Sequence, residues 1–504
     1  MSVSVQAVNR AGEVQATRSE HLKRAWGAGL GIGLAVLLRL LPTPHGLTSV
    51  GHSILAILVL TVVFWVFDVL GNAPTSVLML GLLICAGVKP AHALSAFSEL
   101  AYWILVVVLF YGYAMRATGL AKRLSYVILN MFPATYFGIL SSLFLIGLIL
   151  SFGVPSMTVR TAILTPIAWA LVQGIGLKPF SRGASLIMLS TVEMAVIPGC
   201  ATLYGSLWGP LMVGLFKTQG WDLQWMAWFE AMALPTVVWS ILLLVGNWIV
   251  LRPDQELTVG KEFARVELAR LGKMSFHEKL TATVVMLSIV YWVTQGRLHT
   301  LPTYIVGMFA MAVFAASGIL KEKDFGGAVS WSLLLFLGAV FSLPTVIKEN
   351  HVTDWVAGLI VPIIHRVSGS VLALALVLFL AMLLLRFTDP TGFLIMTVLF
   401  LTVSSLLRAC PTCLPQWGGA SSLLPDPNRG GPLDPIVLIA TLLIAGHPLW
   451  ALYENFWVAL TQGMCNDQGF GDSDRVRAAH VYAVVSAIAL VFSVGYWRLI
   501  GLWR

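Results

Sequence analysis

The sequence predicts an all-α, polytopic membrane protein. Of its 504 residues, 58% are hydrophobic and only 11% are charged, and the mean hydropathy is +0.87. A soluble globular domain carries about 25% charged residues, so this composition excludes one. Apolar runs recur from end to end of the chain, and since about 20 apolar residues span a bilayer, we expect about 11 transmembrane helices, some of them broken.

Two charged segments divide the chain. Residues 1–24 are polar and carry both acidic and basic side chains ahead of the first apolar run. We therefore interpret them as a cytoplasmic tail rather than a signal peptide. Residues 251–279 form the longest charged segment, and their basic content favours the cytoplasm. This segment is either a plain linker or an amphipathic helix at the membrane interface. Basic cytoplasmic loops account for the net charge of +8, and no nucleic-acid partner is indicated.

The chain contains an internal repeat. The segment "APTSVLMLGLL" aligns with "LPTYIVGMFAM", so that Pro74 pairs with Pro302 and Trp103 pairs with Trp331, both 228 residues apart (302 − 74 and 331 − 103). We therefore divide the chain into a first transmembrane half at residues 25–250, with its repeat from about residue 73, and a second half at residues 280–504, with its repeat from about residue 301. We expect the two repeats to be inverted, which requires an odd number of passes between them.

Each repeat contains a helix break at the equivalent position. The segment "LSFGVPSMT" closes a long apolar run, and "LRFTDPTGF" is its counterpart, with Pro155 and Pro390 separated by 235 residues (390 − 155). Proline removes a backbone donor and clashes with the preceding turn. Paired breaks of this kind are typical of the binding site of a secondary transporter, where freed N–H groups attract anions and unwound carbonyl groups hold a cation. We therefore expect two re-entrant hairpins that together form a substrate site.

At these residues the sequence resembles the divalent anion:sodium symporter family of the ion transporter superfamily, as a divergent member. The family carries Ser-Asn-Thr at two hairpin tips, each followed by a proline ten residues after the serine. Residues 156–158, "SMT", and Pro166 match that spacing in the first half, and residues 391–393, "TGF", occupy the equivalent place in the second. The segment "GCATLYGS" from Gly199 resembles the family's Gly-Thr-rich loop. The similarity covers roughly residues 73–419.

The resemblance implies a homodimer in which each subunit has a static scaffold and a moving transport domain. It implies transport of dicarboxylates, citrate or sulfate across a membrane, with no cofactor other than Na⁺ as a coupling ion. The candidate substrate-binding residues are Ser156, Met157, Thr158, Arg160, Thr202, Thr391 and Gly392. The candidate cation-binding residues are Ser151, Ser156, Gly199, Thr388 and Asp389.

The chain departs from the family pattern at both motifs. Met157 and Gly392 replace the two asparagines, and Phe393 replaces the last threonine of the second motif. An asparagine side chain donates and accepts hydrogen bonds, whereas methionine and glycine side chains do neither to any useful extent. Two hypotheses follow: the anion is bulkier or more apolar than a small dicarboxylate, and the coupling is to protons or to a second anion rather than to sodium.

Four charged residues lie within apolar sequence, where charges are normally paired or functional. Asp389 either binds the coupling cation or a proton, or forms a local pair with Arg386, three residues earlier. Arg160 either attracts the anion or extends to the membrane interface. Glu193 precedes the Gly-Thr-rich loop and is a second candidate proton carrier.

The remaining motifs do not indicate catalysis. The pair in "CPTC", Cys410 and Cys413, has half the spacing of a metal or redox site, but no second pair accompanies it. We interpret it as a loop equivalent to the region around Pro198, and His447 as a packed core residue. A secondary anion transporter is therefore favoured over a membrane-embedded enzyme or a channel. We expect it in a prokaryotic inner membrane, in contact with lipid.

Overall fold

The computed structural model describes residues 2–154, 156–254, 257, 262–295, 298–356, 358, 370–387, 389, 392–409, 434–450 and 455–502. Within these ranges the protein is built from α-helices and short 3₁₀ turns, as the sequence predicts. A helix pairs its own backbone N–H and C=O groups in hydrogen bonds, and the hydrocarbon of a membrane offers these groups no other partner.

The first half contains two long helices followed by a series of shorter, interrupted ones. They are α1 (Ser2–Leu40), α2 (Ser49–Val66), α3 (Asn72–Cys85), α4 (Pro90–Ala93), α5 (Ser95–Ser98), α6 (Leu100–Ala117), α7 (Leu120–Met131), α8 (Tyr136–Gly153), α9 (Met157–Gly174), α10 (Arg182–Val196), α11 (Trp208–Thr218) and α12 (Trp225–Val250). A 3₁₀ turn at Ile197–Ala201 follows α10 directly.

The second half repeats this succession. Its helices are α13 (Glu262–Leu271) in the charged linker, α14 (Phe276–Thr294), α15 (Thr303–Ala316), α16 (Phe325–Ala328), α17 (Trp331–Glu349), α18 (Val371–Leu385), α19 (Phe393–Ala409), α20 (Pro435–Ala445), α21 (Phe456–Met464) and α22 (Asp472–Leu499). Residues 352–356 are also helical, and a further 3₁₀ turn lies at Glu322–Asp324. In this order α8 to α12 correspond to α18 to α22.

Six helices of the described chain are long and apolar enough to cross a membrane, and α6 with α7 forms a seventh candidate span bent by 65°. The six are α2, α8, α10 with its 3₁₀ turn, α12, α17 and α22. Shorter apolar helices, among them α3, α15, α18, α19 and α20, occur beside them. The polytopic class is thus confirmed. The count of about 11 spans and the inverted, re-entrant arrangement stay predictions.

The two halves interlock at their broken helices. Helices α8 and α9 of the first half pack on α10, and α21 of the second half packs on both α9 and α10. Conversely, α11 of the first half packs on α17 and α19 of the second. The hydroxyl groups of Thr165 on α9 and Thr461 on α21 lie 3.1 Å apart and are buried. Helices that border the breaks of one half therefore pack against helices of the other half.

The charged linker is tied to the first half by one arginine. Arg123 on α7 pairs with Glu278 at the start of α14, with an Nε–Oε1 distance of 2.7 Å, and both side chains are largely buried. The same guanidinium donates to the carbonyl oxygens of Leu271 and Gly272 at the end of α13. Because these carbonyl groups have no partner within their helix, Arg123 caps α13 and anchors it to α7.

Candidate anion-binding site at the helix breaks

The first break forms where the sequence predicts it. Helix α8 ends at Gly153, and Ser156 caps the start of α9 by accepting a hydrogen bond from the backbone N–H of Val159 at 3.3 Å. Serine is a favoured N-cap because its oxygen satisfies an N–H group that lacks a partner in the first turn. Met157 is fully buried and Thr158 is half-buried. The motif residues therefore lie at a helix start inside the protein.

Arg160 lies one turn after the break and is completely buried. Its Nε donates to the carbonyl oxygen of Ala195 at 2.7 Å, and its Nη1 donates to those of Val154 and Gly205, each at 2.6 Å. Its Nη2 lies 3.5 Å from the carbonyl oxygen of Val196. Arg160 therefore does not extend to the membrane interface. Its donors join the break, the end of α10 and the Gly-Thr-rich loop.

The Gly-Thr-rich loop fits tightly around this guanidinium. A Cβ atom on Gly199 would lie 2.1 Å from Arg160 Nη2 and 2.5 Å from the carbonyl oxygen of Gly205. Thr202 donates from Oγ1 to the carbonyl oxygen of Ser151 at 3.4 Å, and Ser151 donates from Oγ to Leu148. The structure thus brings Ser151, Ser156, Gly199, Thr202 and Arg160 together.

The second break is organised by Asp389 and Arg386, both buried. Asp389 Oδ2 accepts hydrogen bonds from the backbone N–H groups of Leu394 at 3.0 Å and Ile395 at 3.2 Å, so its carboxylate caps α19. Arg386 donates from Nη1 to the carbonyl oxygen of Asp389 and from Nε to that of Gly446 at 2.9 Å. This geometry supports the interpretation that Asp389 and Arg386 interact locally and hold the break in place. Thr388 and Thr391 lie outside the described residues.

The backbone and surroundings of Gly392 explain why the second motif has glycine in place of asparagine. Its φ of +73° is in the left-handed region that favours glycine. A Cβ atom there would lie 2.7 Å from Trp208 Cη2 and 2.8 Å from Arg386 Cδ. The space beside the second motif is therefore taken by an aromatic ring from the first half and by the arginine of the second.

The two halves share one arrangement of charge. In each, a buried arginine donates to carbonyl groups at the C-terminal end of a broken helix: Arg160 at the end of α10, and Arg386 at Gly446, the C-cap of α20. Helix C-termini carry partial negative charge and attract cations. Sequence reasoning identified both arginines but not their carbonyl partners.

Trp208, at the start of α11 in the first half, contacts the second break. Its ring centroid lies 4.6 Å from that of Phe393 and 5.6 Å from that of His447. Gly446 and His447 follow α20, as the 3₁₀ turn that contains Pro198 follows α10, so helix order makes them counterparts. The sequence-based assignment of that role to Cys410 and Cys413 falls on residues outside the described ranges and stays a prediction. Glycine and proline occur together at both positions, in "IPG" and "GHP".

Glu193 lies on α10 within the same core. It is buried, and its Oε2 accepts a hydrogen bond from Asn247 Nδ2 at 2.6 Å, while Oε1 has no hydrogen-bond partner in the described chain. A buried carboxyl group with one neutral partner is expensive to ionise. Glu193 therefore stays a candidate proton carrier, separate from the arginine sites.

The interrupted helices, the interlocked repeats and the buried charges define the class as a membrane transporter for anions. Residues 22–416 match the sequence model of the sodium:sulfate symporter transmembrane region. The chain belongs to this family, and the resemblance read from its motifs is confirmed.

Three relatives illustrate the range of the family. A protein described only as a membrane protein, from Cupriavidus necator, is 26% identical over 496 residues, covering 94% of this chain and 93% of that protein. A sodium-dependent dicarboxylate transporter from Staphylococcus saprophyticus is 26% identical over 403 residues, 72% of this chain and 75% of that protein. An L-tartrate/succinate antiporter from Escherichia coli is 23% identical over 394 residues, 72% of this chain and 80% of that protein.

Membership of this family makes the chain a transporter of small anions and not an enzyme. It is an integral membrane protein, and its relatives support an inner-membrane location. Na⁺ fits the family as a coupling ion, and no group of three or more His, Cys, Asp or Glu side chains suited to a metal ion lies in the described part of the chain.

Proposed function

We propose that the protein is a secondary active transporter that exchanges organic dianions across the membrane by alternating access, with Arg160 and Arg386 in place of coupling cations. The observation that carries this proposal is the burial of Arg160 among three carbonyl oxygens at 2.6–2.7 Å. Unwound carbonyl groups at broken helices are the groups that hold coupling ions in such transporters. Here a guanidinium of the chain already binds them.

A covalently attached cation changes the transport cycle. A sodium ion leaves with the substrate, so the empty carrier can return without its charge. Arg160 cannot leave, and no carboxylate forms an ion pair with it among the described residues. A buried charge without a counter-ion is expensive, and a bound dianion offsets it. The carrier therefore returns most easily when a second anion is bound, which is exchange.

Sodium symport is the second candidate function, and the family favours it. Both the family description and the Staphylococcus saprophyticus relative refer to sodium. The Escherichia coli relative is described as an antiporter. The two candidates differ in what drives uptake, so one assay separates them.

We expect proteoliposomes loaded with succinate to take up external labelled succinate equally well in sodium and in choline buffer. Empty vesicles should take up little in either buffer, because the exchange partner is absent. Vesicles without protein are the control for leakage. Accumulation in empty vesicles that requires an inward sodium gradient would instead establish sodium symport.

The size of the anion is a separate proposal. Met157, Phe393 and Trp208 are buried beside the two breaks, and apolar surface there suits a bulkier carbon skeleton better than it suits sulfate. We expect bulkier organic dianions to raise the unfolding midpoint of the detergent-purified protein more than succinate or citrate does. A larger shift with succinate or citrate would contradict this.

The homodimer is likewise a proposal, and native mass spectrometry tests it.

A further inference from the structure

Glu193 on α10 and Asn247 on α12 form a buried pair in which each side chain has one oxygen without a partner. Glu193 Oε2 accepts a hydrogen bond from Asn247 Nδ2 at 2.6 Å. Glu193 Oε1 and Asn247 Oδ1 have no hydrogen-bond partner in the described chain, although each is only two covalent bonds from an atom of that contact. Glu193 is 2% exposed and Asn247 0%. Buried polar atoms are hydrogen-bonded in most native structures, so these two oxygens require a donor.

The two oxygens become partners of one another when Glu193 carries a proton. An ionised carboxylate only accepts hydrogen bonds, and so does the amide oxygen of asparagine, whereas a protonated carboxyl group has one O–H donor. With a proton on Oε1, Glu193 donates to Asn247 Oδ1 while its Oε2 still accepts from Nδ2. The acid and the amide then form a closed ring of two hydrogen bonds, so one proton satisfies both oxygens.

The elements around Glu193 offer it no charged partner. Every residue from 183 to 201 is buried. Helix α10 packs on α8, α9, α12, α21, α22 and the 3₁₀ turn that follows it. The other buried titratable side chains of these elements are Tyr136, Arg160, Cys200, Asp474, Arg475 and Tyr482. Within the described chain, none of them bonds to Glu193 or forms an ion pair with it.

The charges of the two adjoining helices α9 and α12 are directed or placed elsewhere. Arg160 on α9 donates from Nε to the carbonyl oxygen of Ala195, two residues after Glu193, at 2.7 Å. On α12, Glu230 lies 17 residues before Asn247 (247 − 230), which is about 25 Å along a helix. An ionised Glu193 would therefore be a buried charge with one neutral partner, which is costly.

We propose that Glu193 and Asn247 form a proton-binding site, that Glu193 holds one proton there, and that anion exchange requires this proton to stay bound. The proton adds to the carboxylate, and no other covalent bond forms or breaks. Its loss leaves a buried carboxylate between α10 and α12 and loosens their packing, and α10 ends at the carbonyl groups that bind Arg160. The proton site does not depend on the proposed function, whereas its effect on exchange rests on it. Glu193 thus holds a proton rather than carrying one across the membrane.

Infrared spectroscopy of the full-length, detergent-purified protein tests the proton directly. A protonated carboxyl group has a C=O stretching band that is distinct from the bands of carboxylates and amides. We expect such a band at neutral pH, and we expect Glu193→Gln to abolish it. Glutamine keeps the shape of the side chain, and its NH₂ group can donate to Asn247 Oδ1 in place of the O–H. The matched control is Glu99→Gln, which changes an exposed glutamate and should leave the band intact.

Asn247→Leu tests the pairing, because leucine has no acceptor for the O–H of Glu193. The band should remain in this variant and move to higher frequency, since hydrogen bonding lowers the frequency of C=O stretching. A band that does not move would show that Asn247 is not the acceptor, and the ring of two hydrogen bonds would be wrong.

Exchange in proteoliposomes tests what the proton does. We expect succinate exchange by the unchanged protein to fall as the pH is raised above neutral, by at most about tenfold per pH unit, as for one proton. Succinate stays a dianion there, because ordinary carboxyl groups ionise near about pH 4. Exchange by Glu193→Gln should not change with pH, and exchange by Glu99→Gln should fall as in the unchanged protein. In the unchanged protein the infrared band should decline together with exchange, a comparison that needs no variant.

The inference is wrong if no protonated carboxyl band is present at neutral pH, or if Glu193→Gln leaves the band in place. Exchange by Glu193→Gln that still falls with pH would show that another group is responsible. Complete loss of exchange in a folded Glu193→Gln protein would show that the proton has to leave during transport, which contradicts a held proton. If the band is present and assigned to Glu193 but the unchanged protein exchanges no anion at any pH, the proposed function fails while the proton site stands.

Discussion

Replacing Arg160 by alanine is expected to abolish anion exchange and to lower the free energy of unfolding by about 3 kcal/mol. Three buried carbonyl oxygens, those of Ala195, Val154 and Gly205, would lose a donor. Each such loss costs about 1–3 kcal/mol, and removing the expensive buried charge offsets part of the sum. Equilibrium unfolding in mixed micelles and exchange in proteoliposomes measure the two effects.

Three further measurements separate the charge of Arg160 from its shape. Arg160→Lys keeps the charge but cannot reproduce the planar fork of donors, so it should recover part of the stability and little of the exchange. Millimolar guanidinium ions should partly restore Arg160→Ala, because they fit the same carbonyl groups. Sodium should also stabilise Arg160→Ala, though not the unchanged protein. Full exchange by Arg160→Ala in choline buffer would show that the arginine does not replace a coupling cation.

The helix breaks could be predicted from the sequence because their causes are local. Gly153, Pro155 and Ser156 lie within four residues, and the second break has the same proline followed by a hydroxyl residue, Pro390 and Thr391. The repeat then placed the two breaks at equivalent positions. The structure adds that Asp389 caps α19, a role that its position just before a helix start would also have indicated.

The partners of the buried charges could not be predicted in the same way. Arg160 contacts carbonyl groups 35 and 45 residues further along the chain, and Arg386 contacts one 60 residues away. Every residue has a backbone carbonyl group, so the amino-acid sequence does not indicate which of them accept these hydrogen bonds. His447 was interpreted as a packed core residue because it is a single histidine in apolar sequence. The helix order shows that it lies at the interruption after α20, and its ring contacts that of Trp208.

One added methyl group at Gly199 is expected to disturb the guanidinium of Arg160. Its Cβ atom would lie 2.1 Å from Arg160 Nη2 and 2.5 Å from the carbonyl oxygen of Gly205, and real Cβ atoms do not approach other atoms so closely. The guanidinium cannot withdraw without breaking its bonds to Ala195 and Gly205. We therefore expect Gly199→Ala to lose exchange and to be destabilised by about 1–3 kcal/mol, the range for overpacked cores.

Gly81→Ala is the matched control, because a Cβ atom at Gly81, inside α3, has nothing within 4 Å. Alanine is favoured over glycine in helices by about 0.5–1 kcal/mol, so this variant should be as stable as the unchanged protein or slightly more. Exchange by Gly81→Ala should be normal.

A double-mutant cycle then tests how Gly199 acts. If the methyl group acts by displacing the guanidinium, it should do little harm once that guanidinium is gone. Gly199→Ala combined with Arg160→Ala should therefore be less destabilised than the sum of the two single variants, by about 1–3 kcal/mol. Effects that add within about 0.5 kcal/mol would mean that Gly199 is required for the approach of Gly205 alone. In that case the Gly-Thr-rich loop and Arg160 would be independent parts of the site. The effect of Gly199→Ala would then no longer support the proposal that Arg160 replaces a coupling cation.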